Sequence, residues 1–356
     1  MPRLERTLST RKRAAFWAVT LAPPVIVAAA VAGAAMKRWP ARPGAVDTSA
    51  TGEAALRESG RVEVSDVRLP SLKGMVGPSV HDDLVYELKP SRAWTFLGTH
   101  VRTNAAGFRE REFTAHKPPG ALRVVGIGDS IMWGWGVEEQ DTFLRRLERA
   151  LAPAIRPPVE VLNLAVPTYN AAQEAAVLER HGMPLAPDLV IVAYTMNDGA
   201  PPAFGGMSSP RRFKERADLL GRAAELLPDP ADAGLRASES VLRVAAAFER
   251  IRGLAQAAGV PVLLFIYPYD APDLPRRLAL QRGFLYADVY PAFEALARAR
   301  RVADLHALAK ELAATPYDLH PGPIAHATVA EVLLPKVVDL LAERHAAGGS
   351  RAAPGR

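Results

Sequence analysis

Three short loops in this chain carry residue types that could together perform acyl transfer. The first spans residues 126–130 (GIGDS) and places Ser130 directly after an apolar run. A serine at a tight strand-to-helix turn can be presented to a cleft as a nucleophile, and its backbone N–H can point toward a bound carbonyl. Taken alone, the loop is equally typical of an ordinary turn with an N-capping serine.

The second and third loops supply groups that a serine nucleophile needs. Asn197 follows the apolar run 189–194, where its side-chain amide could hold a developing oxyanion, although an Asx turn at a strand end has the same pattern. Asp318 and His320 precede the last helical stretch. An aspartate near a histidine can fix the imidazole tautomer while the histidine takes the serine proton. Ser130 as nucleophile and His320 as base therefore form the working hypothesis.

Alternating strand and helix patterns predict the elements that would position these loops. The apolar runs are short and continuous, as in central parallel strands covered on both faces. We therefore predict an α/β fold, a three-layer α/β/α sandwich with a parallel, flavodoxin-like sheet. The strands are expected at residues 122–127, 159–162, 189–194, 260–267 and 285–289, and the helices at residues 142–151, 171–181, 241–258 and 324–341.

With these loops in this order, the sequence resembles the SGNH/GDSL hydrolase superfamily, in particular its membrane-anchored bacterial members. The resemblance covers residues 84–341. It implies that Ser130 is the nucleophile, that Asn197 is an oxyanion donor, and that Asp318 and His320 complete the triad. It also identifies residues 161–170 with the family's second block.

The sequence departs from the family pattern at three places. Thr168 stands where the family has a glycine whose backbone N–H is an oxyanion donor, and Thr195 replaces the glycine of the GxND motif. Asp318 and His320 are one residue closer than in DxxH. The N–H of residue 168 survives the change, but its side chain could crowd the oxyanion hole or restrict φ. A catalytically weakened, carbohydrate-binding relative therefore stays as an alternative.

Several neighbouring residues have both a structural and a functional interpretation. Trp133 and Trp135 favour core packing, with stacking on an acyl or sugar group as the alternative. Arg109 is expected to pair with a carboxylate. Asp129 and Asp198 are expected to hold their loops by local hydrogen bonds.

Composition narrows the chemistry further. The 356 residues are 49% hydrophobic and 23% charged, enough for a sizeable core. The chain has no cysteine, which excludes disulfides, thiolate zinc sites and cysteine nucleophiles. His326 has no partner ligands at metal-binding spacing and is expected to be structural, so neither a metal nor another cofactor is predicted. Much of the excess positive charge, +6 overall, crowds the first 13 residues, which argues against a nucleic-acid partner.

The N-terminus predicts a membrane segment. Residues 14–36 form an uncharged run of about 23 residues, long enough to span a bilayer, behind a basic tail at residues 1–13. The positive-inside rule then places the tail in the cytoplasm and the body outside, as a single-pass protein of a bacterial inner membrane. A cleaved signal peptide ending near residues 32–34, with secretion of the body, and a buried soluble helix are the alternatives.

The remaining boundaries follow composition. Residues 37–60 are expected to be a flexible linker, residues 61–119 an N-terminal elaboration, residues 120–345 the hydrolase domain and residues 346–356 a disordered tail. Within the domain, the Pro/Gly-rich stretch 200–234 is expected to be a functional loop or lid.

The predicted function is an extracytoplasmic serine esterase that removes O-acetyl or other short acyl groups from carbohydrate. The same residues would also suit an O-acyltransferase acting on polysaccharide. The oligomeric state, the acyl group and the alcohol are left open by the sequence.

Overall fold

The structure is a computed structural model, and it describes residues 61–64, 67–70, 72, 74–204, 207–208, 212–268, 272–316 and 318–351. The predicted basic tail, membrane segment and linker, residues 1–60, lie outside these residues. No helix among the described residues combines the length and apolar character needed to cross a membrane.

Three antiparallel hairpins precede the main domain. They pair β1 with β2, β3 with β4, and β5 with β6. In β4 to β6 the side chains facing the core, such as Tyr86, Trp94 and Phe96, are buried. The strands are β1 (Arg61–Val64), β2 (Val67–Pro70), β3 (Val76–Pro78), β4 (Tyr86–Leu88), β5 (Ala93–Phe96) and β6 (Thr99–Arg102).

A five-stranded parallel sheet forms the centre of the molecule. Its spatial order is β13–β12–β9–β7–β8, which is the flavodoxin-like order 2-1-3-4-5 in chain sequence. Strands β7 and β12 are buried along their whole length, which explains their unbroken runs of Val, Leu and Ile. These strands are β7 (Leu122–Ile127), β8 (Val159–Asn163), β9 (Leu189–Tyr194), β12 (Val262–Ile266) and β13 (Leu285–Ala287); a short separate hairpin pairs β10 (Ala203–Phe204) with β11 (Met207–Ser208).

Helices flank this sheet and complete the predicted three-layer α/β/α sandwich. Helix α2 packs against α10, and α3 packs against α6. The helices are α1 (Ser130–Trp133), α2 (Phe143–Ala154), α3 (Ala171–Val177), α4 (Arg212–Gly221), α5 (Ala223–Leu226), α6 (Glu239–Ala258), α7 (Asp273–Gln281), α8 (Tyr290–Arg300), α9 (Leu305–Glu311) and α10 (Pro323–Arg351).

Local capping sets the ends of the helices. Helix α6 begins after Ser238, whose hydroxyl accepts the N–H of Val241, and ends at Gly259, which has a φ of 63°. Gly259 is therefore the C-terminal cap of α6. Helix α3 begins with a capping box between Asn170 and Gln173.

The structure corrects the sequence interpretation in two segments. The stretch 200–234 was predicted as a loop or lid, but it contains α4, α5 and a 3-10 turn at Pro230–Leu235. At the C-terminus the sequence predicts a tail from residue 346, whereas α10 continues to Arg351.

Candidate active site

Ser130 begins α1 at the C-terminal end of β7, and close packing explains the glycines before it. A Cβ on Gly126 would lie 2.7 Å from Leu144, and one on Gly128 would lie 2.9 Å from Met132. Neither glycine has a positive φ, so these positions need the absence of a side chain rather than unusual backbone freedom. As the first residue of a helix, Ser130 has a backbone N–H without an intrahelical acceptor.

His320 contacts the serine directly. Its Nε2 lies 2.8 Å from the Ser130 Oγ, across 190 residues of sequence. The loop that carries it is closed by backbone hydrogen bonds from Ala314 N–H to the His320 carbonyl and from Gly322 N–H to the Leu312 carbonyl, both 2.7 Å. The geometry allows His320 to accept the serine proton.

Asp318 lies on the far side of the imidazole. Its Oδ2 is 3.2 Å from His320 Nδ1, a contact that becomes an ion pair when the imidazole is protonated but is not aligned well enough for a hydrogen bond. Oδ1 accepts the His320 backbone N–H at 3.1 Å and the Thr315 hydroxyl at 3.2 Å. Burial raises the pKa of Asp318, but the His320 side chain, the His320 backbone N–H and the Trp135 side chain together outweigh it and hold the pKa below its ordinary value. The carboxylate is therefore charged where it faces the imidazole.

Trp135 holds both members of this pair. Its ring stacks on His320, with centroids 4.8 Å apart and planes at 20°. Its Nε1–H donates to Asp318 Oδ2 at 3.0 Å. Neither sequence interpretation of Trp135 anticipated these contacts, whereas Trp133 is buried in the core as expected.

Arg109 fixes the turn that presents Trp135, and its environment corrects the expected carboxylate partner. The buried guanidinium donates to the carbonyls of Gly134 (2.6 Å), Val137 (2.7 Å) and His100 (3.2 Å). It also lies 4.7 Å from the centre of the Trp133 ring. Burial lowers the pKa of Arg109 to about 10, so the group is still cationic at neutral pH.

Asn197 lies at the C-terminal end of β9, in a loop tied to the nucleophile's loop. Its Nδ2 donates to the Tyr169 carbonyl at 2.8 Å, and its Oδ1 contacts the Thr195 hydroxyl. That hydroxyl also lies 2.8 Å from Asp129 Oδ2. Thr195, at the GxND glycine position, thus bridges Asn197 to the residue before Ser130. The Asn197 amide also hydrogen-bonds the Asp129 carboxylate, which lowers the pKa of that group.

Thr168 has a left-handed backbone, with φ of 64°. Its loop is held beside the nucleophile by hydrogen bonds from Leu164 N–H to the Gly126 carbonyl (2.9 Å) and from Val166 N–H to the Gly128 carbonyl (3.2 Å). A positive φ is readily adopted by glycine and disfavoured for a β-branched residue. Thr168 therefore adopts a glycine-like backbone conformation that its own side chain disfavours.

Buried acids lie behind these loops, and the sequence analysis missed one of them. Asp129 caps α1 by accepting the Ile131 N–H at 2.9 Å, and burial raises its pKa. Glu174 on α3 is buried against Asp198, and burial followed by the Asp198 charge raises its pKa well above the ordinary value. A glutamate inside the apolar face of a helix was the available signal.

His326 has the structural role expected for it. Its Nδ1 accepts the Phe143 N–H at 3.2 Å, its ring stacks on Phe143, and burial lowers its pKa to about 3. In the part of the chain that the structure describes, no group of three or more acidic or histidine side chains could hold a metal ion.

A serine, a histidine and an aspartate in this arrangement, at the edge of a parallel α/β/α sheet, define the class as a carboxylic ester hydrolase. The chain belongs to the GDSL-like lipase/acylhydrolase family, whose model matches residues 127–328, more than half of the chain. No curated protein matches the sequence significantly.

Three solved structures with a similar fold match about three fifths of this chain and nearly the whole of their own. TesA is 18% identical over 62% of this chain and 99% of its own, with a TM-score of 0.37. The acetyl xylan esterase AlAXEase is 15% identical over 61% and 100%, with a TM-score of 0.41. An acetylxylan esterase from Geobacillus stearothermophilus is 15% identical over 61% and 94%, with a TM-score of 0.37.

Proposed function

We propose that this protein is a serine esterase in which Ser130 is the nucleophile and His320 its general base. The 2.8 Å contact between Ser130 Oγ and His320 Nε2 is the observation that carries the proposal. The negative charge of Asp318, 3.2 Å from Nδ1, favours the tautomer with the proton on Nδ1 and stabilises the imidazolium.

The reaction follows from these contacts. Ser130 Oγ bonds to the ester carbonyl carbon while its proton passes to His320 Nε2. The C–O bond to the alcohol then breaks, and the imidazolium returns the proton to the departing alkoxide. Water attacks the acyl-enzyme with His320 again as base, which releases the carboxylic acid and restores Ser130.

The negative oxygen of the tetrahedral intermediate is proposed to be held by three donors. These are the backbone N–H groups of Ser130 and Thr168 and the side-chain amide of Asn197. Each belongs to a different loop at the carboxyl edge of the sheet, where reactive groups of such folds gather. Preorganised donors of this kind stabilise the transition state by several kcal/mol each, roughly 3 per donor.

The preferred substrate is proposed to be a short acyl ester of a carbohydrate, such as an O-acetyl sugar. Ser130 is only 6% exposed, which favours a small acyl group next to the nucleophile. Met196, beside Asn197, is 68% exposed and offers an apolar surface to the face of a sugar ring. The resemblance to membrane-anchored bacterial SGNH proteins supports a polysaccharide outside the cell.

The catalytic domain is proposed to face the extracytoplasmic side of a bacterial inner membrane. The uncharged run at residues 14–36 and the five basic residues before it support this orientation. Protease added to spheroplasts should degrade the domain while a cytoplasmic protein survives. Protection of the domain would contradict this location, and the mass of the mature N-terminus distinguishes a retained anchor from a cleaved signal peptide.

Hydrolysis of p-nitrophenyl acetate, butyrate and octanoate tests the chemistry, with acetate release from acetylated oligosaccharides beside it. We expect the acetate ester to have the highest kcat/KM and Ser130→Ala to abolish it. Addition of a free sugar acceptor measures transfer against hydrolysis in the same assay. A folded wild type with no turnover of any ester would overturn the proposal.

A further inference from the structure

A tyrosine from the N-terminal hairpins lies directly against the Thr168 loop. Tyr86 in β4 is fully buried, and its hydroxyl lies 2.5 Å from Thr168 Oγ1 and 2.7 Å from the Pro167 carbonyl oxygen. The two partners are separated from Tyr86 by more than 80 residues of sequence. One hydroxyl group therefore contacts two consecutive residues of the loop that carries a proposed oxyanion donor.

The directions of these hydrogen bonds follow from the donors available. The Pro167 carbonyl can only accept, so the single hydrogen of the Tyr86 hydroxyl goes to it. The Thr168 hydroxyl then donates to Tyr86. Burial raises the pKa of Tyr86 far above its ordinary value, so the phenol keeps its proton throughout the working pH range.

Thr168 needs such a restraint because of its backbone. Its φ of 64° is a left-handed conformation that a β-branched side chain disfavours, and the strain persists only where surrounding contacts impose it. The hydroxyl of Thr168 hydrogen-bonds Tyr86, a contact that a glycine at this position could not make. The side chain that strains the loop is thus also the one that Tyr86 holds.

Tyr86 is itself held firmly. Its backbone carbonyl accepts the Tyr169 hydroxyl, and its ring meets the Tyr169 ring edge-on at 5.1 Å. The Gln173 amide donates to the carbonyl of Leu84, two residues earlier, at 2.6 Å. The hairpin is therefore fastened to the residues on both sides of the loop and to the start of α3.

We propose that Tyr86 is a positioning residue that holds Thr168 in its left-handed conformation, so that the Thr168 N–H faces the oxyanion; this inference rests on the proposed function. A glycine would adopt this conformation without help, whereas Thr168 is held in it by the hydrogen bond between its side chain and Tyr86. The hairpin segment before the hydrolase domain then contributes to catalysis without touching the substrate.

Four variants test the coupling: Tyr86→Phe, Thr168→Val, Thr168→Gly and the double variant Tyr86→Phe/Thr168→Gly. Tyr86→Phe and Thr168→Val each remove the bond and should lower kcat for p-nitrophenyl acetate about three- to tenfold, the size of one hydrogen bond, with KM little changed. Glycine adopts the left-handed conformation unaided, so Tyr86→Phe in the Thr168→Gly background should lower kcat less than about twofold. Tyr286→Phe is the matched control, because the Tyr286 hydroxyl has no hydrogen-bond partner among the described residues.

An equal loss of kcat on Tyr86→Phe in both backgrounds, or no loss in either, would overturn the inference. So would a loss of Tm without a loss of kcat, since that is the result of a merely structural role. The melting temperatures of the wild type, Tyr86→Phe, Thr168→Gly and the double variant measure the Tyr86–Thr168 coupling without substrate. If fluorophosphonate fails to label the wild type, the proposed function fails, while additive Tm changes in this cycle would reject the Tyr86–Thr168 bond independently.

Discussion

The two halves of the candidate site are held in different ways. The half that activates the nucleophile rests on side-chain contacts: Ser130 on His320, and Trp135 on both His320 and Asp318. The half that would receive the oxyanion includes the Asn197 amide, but it depends chiefly on the backbone conformation of its loops, with Thr168 at a positive φ. Side-chain chemistry can be inferred from residue types, whereas a strained backbone depends on what packs against it.

Both halves depend on the segment before the hydrolase domain, but through different residues. Arg109 holds the carbonyls of the turn that carries Trp135, and Tyr86 holds Thr168. Substitutions in the two halves should therefore differ in how strongly they act and in whether they lower kcat or the free energy of unfolding.

The largest effect is expected in the nucleophile half. His320→Ala removes the base and should lower kcat by roughly four to six orders of magnitude, as loss of a triad member does. Steady-state kinetics with p-nitrophenyl acetate measures this, with circular dichroism to confirm folding. A loss below about tenfold would show that His320 is not the base.

Arg109→Met should destabilise the fold as well as the site. It leaves buried carbonyls of Gly134 and Val137 without a charged donor, at a cost of about 2–4 kcal/mol in the free energy of unfolding. Urea denaturation measures this, and Arg109→Lys, which keeps the charge but not the planar fork, should recover part of it. Wild-type stability in Arg109→Met would contradict the role of Arg109.

Glu174 behind the oxyanion half should make stability depend on pH. Burial, and the nearby charge of Asp198, raise the pKa of Glu174 well above its ordinary value in the folded protein. The contribution of protonated Glu174 to the free energy of unfolding is therefore fully present below its unfolded-state pKa. It is lost as the pH rises through its folded-state pKa.

The Tm of the wild type should accordingly fall more steeply toward alkaline pH than that of Glu174→Gln, which stays neutral. Glu343→Gln, an exposed carboxylate on α10, is the matched control and should keep the wild-type slope. Parallel Tm–pH curves for wild type and Glu174→Gln would show that the pKa of Glu174 is not raised in the folded protein.

The smallest effect is expected for Thr168→Gly alone. Relief of the left-handed strain opposes the loss of the Tyr86 bond and the greater freedom of the unfolded chain, so the free energy of unfolding should change by less than about 1 kcal/mol. Differential scanning calorimetry resolves this. A destabilisation of several kcal/mol would show that the threonine side chain supports the loop instead of straining it.

The sequence predicted the sheet well because its strands are uniformly apolar. Strands β7 and β9 begin and end at the predicted residues, and the loops after them bring Ser130 and Asn197 to one edge. Helices α4 and α5 were missed because proline and glycine interrupt their segment, and their short amphipathic pattern is weak.

The supporting contacts of the site could not be predicted from pattern. Tyr86 and Thr168, or Trp135 and Asp318, are brought together from 82 and 183 residues apart. Arg109 was expected to pair with a carboxylate, but its guanidinium donates to backbone carbonyls of a buried turn instead. Such partners are set by tertiary packing, which no local spacing encodes.

The most direct test of the account is fluorophosphonate labelling of the protein followed by peptide mapping. An activated serine predicts stoichiometric modification at Ser130, absent in Ser130→Ala and strongly slowed in His320→Ala. No modification of the folded wild type, or modification at another serine, would contradict the assignment of Ser130 and His320 as the catalytic pair.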